Sequence, residues 1–196
     1  MKIFIYPSTA SLYSITPQGN GNFLNPTNIY AAVKFTEEQI AKLYNGNIKT
    51  LGLRIFMAYG PGEETKGPRA SPISLFLNNI LNGEPPLIFG DGSQIRDAIF
   101  IDDLVDILAN ILNKHNISGV RDICTGNLIS FNDVVSIINR MASTNIFPKY
   151  VQRPKSYIEY TTGDSSFGKE MLGREFTSID EGIKSMINIF KNKSNE

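Results

Sequence analysis

The stretch NIYAAVKFTEEQIAKLYNGNIKTLGLRIF, residues 28–56, predicts the fold of this 196-residue chain. Its first part has the spacing of an amphipathic helix from about Ile29 to Tyr44, with Glu38 and Lys42 paired one turn apart. Its last part is an apolar run typical of a buried strand, and a similar run, IFIY, precedes the helix at residues 3–6. The order strand, helix, strand indicates a βαβ unit in a parallel sheet, and therefore an α/β fold.

The α/β pattern continues beyond residue 56. Residues 60–72, GPGEETKGPRASP, are rich in glycine and proline and predict a segment without regular structure, either a loop or the boundary of a small domain. A helix from about Ile73 to Leu81 follows. Residues 85–112 then predict a strand, a tight turn, a second strand and a helix capped by Asp102 or Asp103.

Two further helices are predicted from capping boxes. Ser130 with Asp133 and Ser178 with Glu181 have the spacing in which each side chain satisfies a backbone N–H of the first turn. Between the first box and the preceding helix, DICTG predicts a short strand, in which Cys124 is expected to be a small core residue.

The composition excludes several classes of protein. Nineteen basic residues balance nineteen acidic ones, so no net charge favours nucleic acid or an anionic membrane. A single cysteine excludes an intramolecular disulfide and, with a single histidine, argues against a metal site. No apolar run approaches the roughly 20 residues that span a bilayer. A soluble, cytoplasmic protein is expected.

Tyr30 and Lys34 are candidates for acid–base chemistry. Residues four apart on a helix share a face at about 6 Å, so the Lys34 ammonium can lie close to the Tyr30 phenol. A nearby cation favours the phenolate form, which can act as a general base. The chain has eight tyrosines, however, so such a pair can also arise by chance.

Thr9 is a third candidate because PSTASLYS, residues 7–14, follows the first predicted strand. Ligands of open α/β sheets gather at the carboxyl ends of the strands. The Thr9 hydroxyl is therefore placed to hold a substrate oxygen beside Tyr30. The alternative is a solvated hydroxyl in a turn.

Five blocks together resemble the extended short-chain dehydrogenase/reductase family, in particular its NAD-dependent nucleotide-sugar epimerases and dehydratases such as UDP-glucose 4-epimerase. They are PSTASLYS (7–14), YAAVK (30–34), LRIFMAYGPG (53–62), IFGDGSQIRDAIFIDDLVD (88–106) and DSSFGKEMLG (164–173). The resemblance implies the C-terminal part of a Rossmann-type parallel sheet with a smaller α/β substrate-binding domain. It assigns residues 1–60 to the dinucleotide-binding domain and 61–196 mainly to the substrate domain, with segments near 97–126 returning to the Rossmann part.

The resemblance also implies a catalytic group of Thr9, Tyr30 and Lys34 that works with NAD. Tyr30 would remove the proton of a sugar hydroxyl as hydride passes to the nicotinamide. Lys34 would bind the nicotinamide ribose, with Tyr30 also in contact with the cofactor. The 4-keto sugar would then turn and take the hydride back on its other face.

Two arginines are implied as anchors for a nucleotide-diphosphate sugar. Arg96 matches the family arginine that meets the diphosphate, for which its planar fork suits it. Arg153 matches a second family arginine, although the Gly-Asp that usually follows is missing. The alternative for Arg96 is a surface ion pair with Asp91 or Asp97.

Three positions bear on the reaction. Met57 stands where many relatives have an asparagine or serine that contacts the substrate; a thioether cannot replace those hydrogen bonds, and packing is its alternative role. Ala10 and Ser11 stand where the dehydratases carry acidic residues. The resemblance therefore implies an epimerase, with a dehydratase or reductase as the alternative.

The glycine-rich dinucleotide fingerprint of the family occurs nowhere in the sequence. The first strand also begins at residue 3, so an N-terminally truncated enzyme is expected. The alternatives are a split enzyme, in which a separate chain supplies the glycine-rich half, and a non-catalytic protein that binds a nucleotide sugar. Many relatives are homodimers.

Overall fold

The computed structural model describes residues 3–13, 24–44, 48–114, 116–154 and 157–193. Its helices are α1 (Ile29–Tyr44), α2 (Pro72–Leu81), α3 (Ile101–Leu112), α4 (Phe131–Ala142), α5 (Ser166–Leu172) and α6 (Ile179–Lys193), with short 3-10 helices at Ala10–Leu12 and Glu63–Arg69. Its strands are β1 (Phe4–Thr9), β2 (Thr50–Ile55), β3 (Met57–Tyr59), β4 (Leu87–Phe89), β5 (Ile95–Phe100), β6 (Gly119–Ile123), β7 (Leu128–Ser130) and β8 (Lys149–Val151). In these ranges no helix is long and apolar enough to cross a membrane.

The first sheet is parallel and has the strand order β1-β2-β6. Thr9 at the end of β1 pairs with Ile55 at the end of β2, and Ile55 pairs with Ile123 at the end of β6. The three carboxyl ends therefore lie together at one edge, where open α/β sheets bind ligands. This arrangement confirms the predicted α/β fold with a βαβ unit from β1 through α1 to β2.

The remaining strands form a second three-stranded sheet and a two-stranded one. In one the order is β3-β5-β7, with β7 antiparallel to β5, and in the other β4 pairs with β8. The predicted strand, turn, strand order of residues 85–112 is present, but β4 and β5 do not form a hairpin. Strand β4 forms its backbone hydrogen bonds with β8 instead. The turn between β4 and β5 has Gly90 and Gly92 at positive φ angles of 83° and 80°, which favour glycine.

Two apolar clusters hold these layers together. One fills the space between the parallel sheet and helices α3 and α5, and includes Leu51, Leu53 and Ile107. The other packs α2, α4 and α6 around β5; Met57 lies against it, which agrees with a packing role. Cys124 is fully buried, as predicted, but it lies directly after β6, which ends at Ile123.

The predicted caps by Ser130 and Ser178 are confirmed, the second of them as a complete capping box. Ser130 Oγ accepts a hydrogen bond from the backbone N–H of Asp133 at 3.0 Å and donates to its carboxylate. Ser178 Oγ accepts from the N–H of Glu181, whose carboxylate accepts from the N–H of Ser178. These pairs start α4 and α6.

The predicted cap of α3 by Asp102 or Asp103 is wrong. Phe100 is the N-cap, and the two aspartates lie in the first turn. Asp103 is fully buried and accepts hydrogen bonds from the backbone N–H and the hydroxyl of Thr177, and it pairs with Arg174 at 2.7 Å. Its partners lie between α5 and α6, so Asp103 holds this segment of the chain against α3.

The predicted loop at residues 60–72 is partly regular, because Glu63–Arg69 forms 3-10 turns with a break at Gly67. Glu63 holds it to the start of α2. Its buried carboxylate accepts hydrogen bonds from Ser71 and Ser74 and pairs with Lys66 at 2.9 Å. Burial raises the pKa of Glu63, but these bonds outweigh it and leave the pKa below the ordinary value.

Glu63 is therefore expected to make stability fall in acid. Its pKa is lower in the folded than in the unfolded chain, where it is about 4.3, so its contribution is complete above that pH and is lost as the pH falls through the folded value. In thermal unfolding from pH 7 to pH 3, Tm should drop less steeply for Glu63→Gln than for the wild type. Glu84→Gln, at an exposed position after α2, should follow the wild type; parallel curves for Glu63→Gln would contradict the assignment.

Candidate active site

Thr9 lies at the carboxyl end of β1 and is buried. Its Oγ1 accepts a hydrogen bond of 3.1 Å from the backbone N–H of Ser11 and so caps the 3-10 helix Ala10–Leu12. The alternative of a solvated turn hydroxyl is therefore wrong. Because its oxygen acts as the acceptor in this cap, the O–H remains available as a donor.

Helix α1 brings Lys34 to the same end of β1. The helix starts where Asn28 Oδ1 accepts a hydrogen bond from the N–H of Ala31. The Lys34 side chain is largely buried, and its ammonium donates to the Pro7 carbonyl of β1 at 3.1 Å and to Glu37 at 2.8 Å. Lys34 thus meets β1 two residues before Thr9.

Tyr30 lies one turn before Lys34 on α1 and is 55% exposed. Within the described part of the chain, its hydroxyl has no hydrogen-bond partner, and the Lys34 ammonium is bonded to Pro7 and Glu37 instead. The phenol is therefore open to a ligand at the carboxyl end of the sheet. The catalytic assignment of Thr9, Tyr30 and Lys34 stays a prediction.

Glu38, one turn after Lys34, is fully buried. Its carboxylate accepts a hydrogen bond from Ser8 Oγ at 2.6 Å and two from Arg54, at 2.8 and 2.7 Å. The predicted surface pair with Lys42 is wrong, because Arg54 of β2 supplies the counter-charge beneath the helix. The sequence pattern gave no sign of this contact within α1 itself.

The same arginine extends the network to β6. Arg54 also donates to the Tyr13 hydroxyl at 2.6 Å, and Tyr13 donates to Asp122 at 2.8 Å. Burial and the Asp122 carboxylate raise the pKa of Tyr13 well above 10, so the phenol remains neutral and keeps its proton as a donor. Ser8, Glu38, Arg54, Tyr13 and Asp122 therefore form one connected polar network behind the candidate site.

Arg96 lies on β5 between the rings of Phe131 and Tyr157, at 5.3 and 5.7 Å from their centroids. Its guanidinium donates to the backbone carbonyls of Ile95 and Ile158. Burial lowers the pKa of Arg96, although the Tyr157 phenol partly offsets this. In the described ranges no carboxylate pairs with this cation.

The alternative surface ion pair of Arg96 with Asp91 or Asp97 is therefore wrong. Asp97 is fully buried and accepts hydrogen bonds from Thr125 and from the N–H of Gly126. Asp91 pairs instead with Arg153, at 3.1 Å.

Arg153 also pairs with Glu159, so two carboxylates already neutralise it. Arg96 and Arg153 bind adjacent positions of one segment, through Ile158 and Glu159. Of the two predicted anchors, Arg96 is the one whose charge is uncompensated in the described chain.

Gln94 is a polar residue near Arg96 that the sequence reasoning missed. Its side-chain amide donates to the Phe89 carbonyl at 2.8 Å and to the Tyr157 hydroxyl at 3.1 Å. The Oε1 atom is buried and has no partner in the described residues. It adds an unused acceptor to the surroundings of Arg96.

The model of the NAD dependent epimerase/dehydratase family matches residues 1–124. The chain belongs to this family. The matched residues include Thr9, Tyr30, Lys34 and Arg96. Of the predicted site residues, Arg153 lies outside the match.

Three relatives of this chain are 27% to 29% identical to it in sequence. A putative UDP-glucose 4-epimerase of Methanocaldococcus jannaschii is 29% identical, over 98% of this chain and 64% of the relative. An ADP-L-glycero-D-manno-heptose-6-epimerase of Brachyspira hyodysenteriae is also 29% identical, over 95% and 62%. The crystal structure of a UDP-glucose 4-epimerase of Thermotoga maritima with UDP-glucose has a TM-score of 0.86 at 27% identity, over 100% of this chain and 65% of that one. The chain therefore spans somewhat less than two thirds of these relatives, and the match supports the Rossmann-type fold.

Proposed function

We propose that this chain carries the catalytic and sugar-binding residues of an NAD-dependent nucleotide-sugar epimerase. The observation that carries the proposal is the contact of the Lys34 ammonium with the Pro7 carbonyl of β1, two residues before Thr9. It places a cation and a buried hydroxyl at the edge of the sheet where ligands bind, with the open Tyr30 phenol one turn away along α1. Family membership supports the same reading.

In this proposal each residue has a separate task. The Thr9 O–H donates to a sugar oxygen, and Tyr30 removes and later returns the proton of the reacting sugar hydroxyl. Lys34 would bind the nicotinamide ribose through the ammonium N–H that neither Pro7 nor Glu37 accepts. The nicotinamide, when bound, supplies the acceptor and donor of hydride.

The fit to NAD is partial. Lys34 has three N–H donors, of which two have acceptors in the described residues, so one is left for a ribose hydroxyl. The sequence has no glycine-rich fingerprint, and the pyrophosphate must therefore be held by another polypeptide segment.

A UDP-sugar 4-epimerisation through a 4-keto intermediate is the reaction we favour. The relatives from M. jannaschii and T. maritima are named as UDP-glucose 4-epimerases, whereas the B. hyodysenteriae relative is named for epimerisation at carbon 6 of a heptose. Ala10 and Ser11, in place of acidic residues, disfavour a dehydratase. Arg96, a half-buried cation without a carboxylate partner in the described chain, supports binding of the diphosphate.

Among the described residues, the second edge of β1 supports the addition of a further strand. β1 pairs with β2 on one side, and no other described strand pairs with its second edge. An apolar groove of about 480 Å³ is lined by residues of β1, of α1 and of the segment that enters β2, including Phe4, Tyr6 and Tyr44. We propose that a glycine-rich dinucleotide-binding unit adds a strand here, rather than a second copy of this chain.

Calorimetry on the purified chain tests the function. UDP-glucose is expected to bind the chain alone, while NAD binds and UDP-glucose is converted to UDP-galactose only when a glycine-rich dinucleotide-binding unit is supplied. A folded chain, as judged by circular dichroism, that binds no UDP-glucose would contradict the proposal. UDP-glucose binding without any conversion in the completed assembly would favour the second candidate, a non-catalytic nucleotide-sugar-binding protein, for which Arg96 alone suffices.

A further inference from the structure

Helix α1 carries Tyr30 and Lys34 but fully buries only two side chains, Ala31 and Glu38. Several of its large apolar residues face outward, with Ile29 and Leu43 more than 80% exposed. The usual apolar stripe that fixes a helix on a sheet is therefore weak here. A buried carboxylate stands in the place where such a helix would have a leucine or isoleucine.

The contacts of Glu38 are directional. Ser8 Oγ reaches it from β1 at 2.6 Å, and Arg54 reaches it from β2 with two N–H groups of its planar fork. A bidentate arginine–carboxylate pair sets both distance and angle, whereas apolar contacts allow a helix to slide or rotate. Three hydrogen bonds therefore fix the rotation and the height of α1 above the sheet.

The free-energy cost of burying the Glu38–Arg54 ion pair agrees with a role in placing α1 rather than in stabilising the fold. Burying an ion pair costs free energy of desolvation, and well-packed apolar residues are often as stable or more stable. Glu38 is nevertheless fully buried, and the hydrogen bonds to its carboxylate come from β1 and β2, the strands next to the candidate site. A contribution to stability alone therefore does not explain why a charged pair, and not two apolar side chains, lies at this position.

We propose that Glu38, Arg54 and Ser8 are positioning residues that set Tyr30 and Lys34 on α1 against Thr9 on β1. Ser8 is the neighbour of Thr9 on β1, and Glu38 lies one turn beyond Lys34 on α1. The hydrogen bond from Ser8 to Glu38 therefore joins β1 directly to α1. Arg54 also holds Tyr13, four residues after Thr9, and thereby fixes the segment that follows it. The proposal rests on the proposed epimerase function for its catalytic consequence, but not for its geometry.

Two variants test the network. Glu38→Gln keeps the shape but brings an N–H donor against Arg54, and Ser8→Ala removes one hydrogen bond with little effect on folding. Asp103→Asn is the matched control, because Asp103 is an equally buried carboxylate paired with an arginine, on α3 and outside the site. All three variants and the wild type are compared by crystal structure, and by kcat and KM for UDP-glucose in the completed, NAD-binding assembly.

In Glu38→Gln the Lys34 ammonium is expected to move out of hydrogen-bonding range of the Pro7 carbonyl, and kcat to fall about 10-fold with KM for UDP-glucose unchanged. Ser8→Ala should show a smaller change in the same direction. Asp103→Asn should lower Tm but leave both the Lys34–Pro7 contact and kcat at wild-type values. An unchanged Lys34–Pro7 contact in both Glu38→Gln and Ser8→Ala overturns the proposal. If the wild-type assembly is inactive, the epimerase function fails, and the Lys34–Pro7 contact alone decides the positioning role.

Discussion

Replacing Tyr30 by phenylalanine is expected to lower the turnover of UDP-glucose at least about 100-fold in an assembly that binds NAD, the usual scale for a lost general base. Phenylalanine keeps the ring and the surroundings of α1 but has no proton to accept or return. Because Tyr30 is exposed and its hydroxyl has no partner in the described chain, the change removes no structural hydrogen bond. Tm should therefore stay within error of the wild type.

The measurement is the rate of UDP-galactose formation at saturating UDP-glucose and NAD, together with the calorimetric affinity for UDP-glucose. Tyr150→Phe serves as control, because Tyr150 is a half-exposed tyrosine on β8 whose hydroxyl donates to Asn132, away from α1. The control should retain wild-type turnover. Near-normal turnover of Tyr30→Phe would remove Tyr30 from the general-base role and leave its pairing with Lys34 as a coincidence of helical spacing.

The bounds of α1 could be predicted from the sequence, but not the way in which it lies on the sheet. Its apolar spacing gives a helix from Ile29 to Tyr44, as observed. The same spacing puts Glu38 next to Lys42 and suits a solvated pair. The decisive partner, Arg54, comes from a strand 16 residues later. An arginine in the apolar run LRIF was the available sign, since a cation in a buried strand needs a counter-charge.

Local signals were reliable where the partners lie within a few residues. The capping boxes of Ser130 and Ser178 contain both of their partners within one turn, and both were found. Asp103 and Asp97 were different: their hydrogen-bond donors are 74 and 28 residues away in the chain. A carboxylate at the start of a helix looks like a cap until the tertiary partner is known, and the sequence does not contain that information in local form.

The same limit applies to the arginines of the candidate site. The motif match selected Arg96 as an anchor and Arg153 as a second one that lacks the usual Gly-Asp, and the surroundings of the two arginines differ in charge. Arg153 lies between Asp91 and Glu159, whereas Arg96 lies between two aromatic rings with backbone carbonyls as acceptors. This difference depends on how the segment around Ile158 returns to β5, and it ranks the two residues for a test of substrate binding.

Replacing Arg96 by alanine is expected to weaken UDP-glucose binding about 10- to 100-fold, since hydrogen bonds to a charged group contribute roughly 1.5–3 kcal/mol. A half-buried cation that no carboxylate of the described residues neutralises has lost part of its hydration without gaining a protein counter-charge, and a diphosphate would provide one. Calorimetry of the chain with UDP-glucose measures the loss.

Uridine separates this effect from a general disturbance of the site. It lacks the diphosphate, so Arg96→Ala should leave its affinity unchanged while that for UDP-glucose falls. Arg140→Ala is the control for the loss of an arginine, because Arg140 is exposed on α4 and pairs only with Asp180 in the described contacts. If Arg96→Ala weakened uridine and UDP-glucose equally, Arg96 would act by holding Tyr157 and Phe131 in place, and the diphosphate would have to be bound elsewhere. If neither affinity changed, Arg96 would lie outside the site, and its aromatic surroundings would be a matter of packing alone.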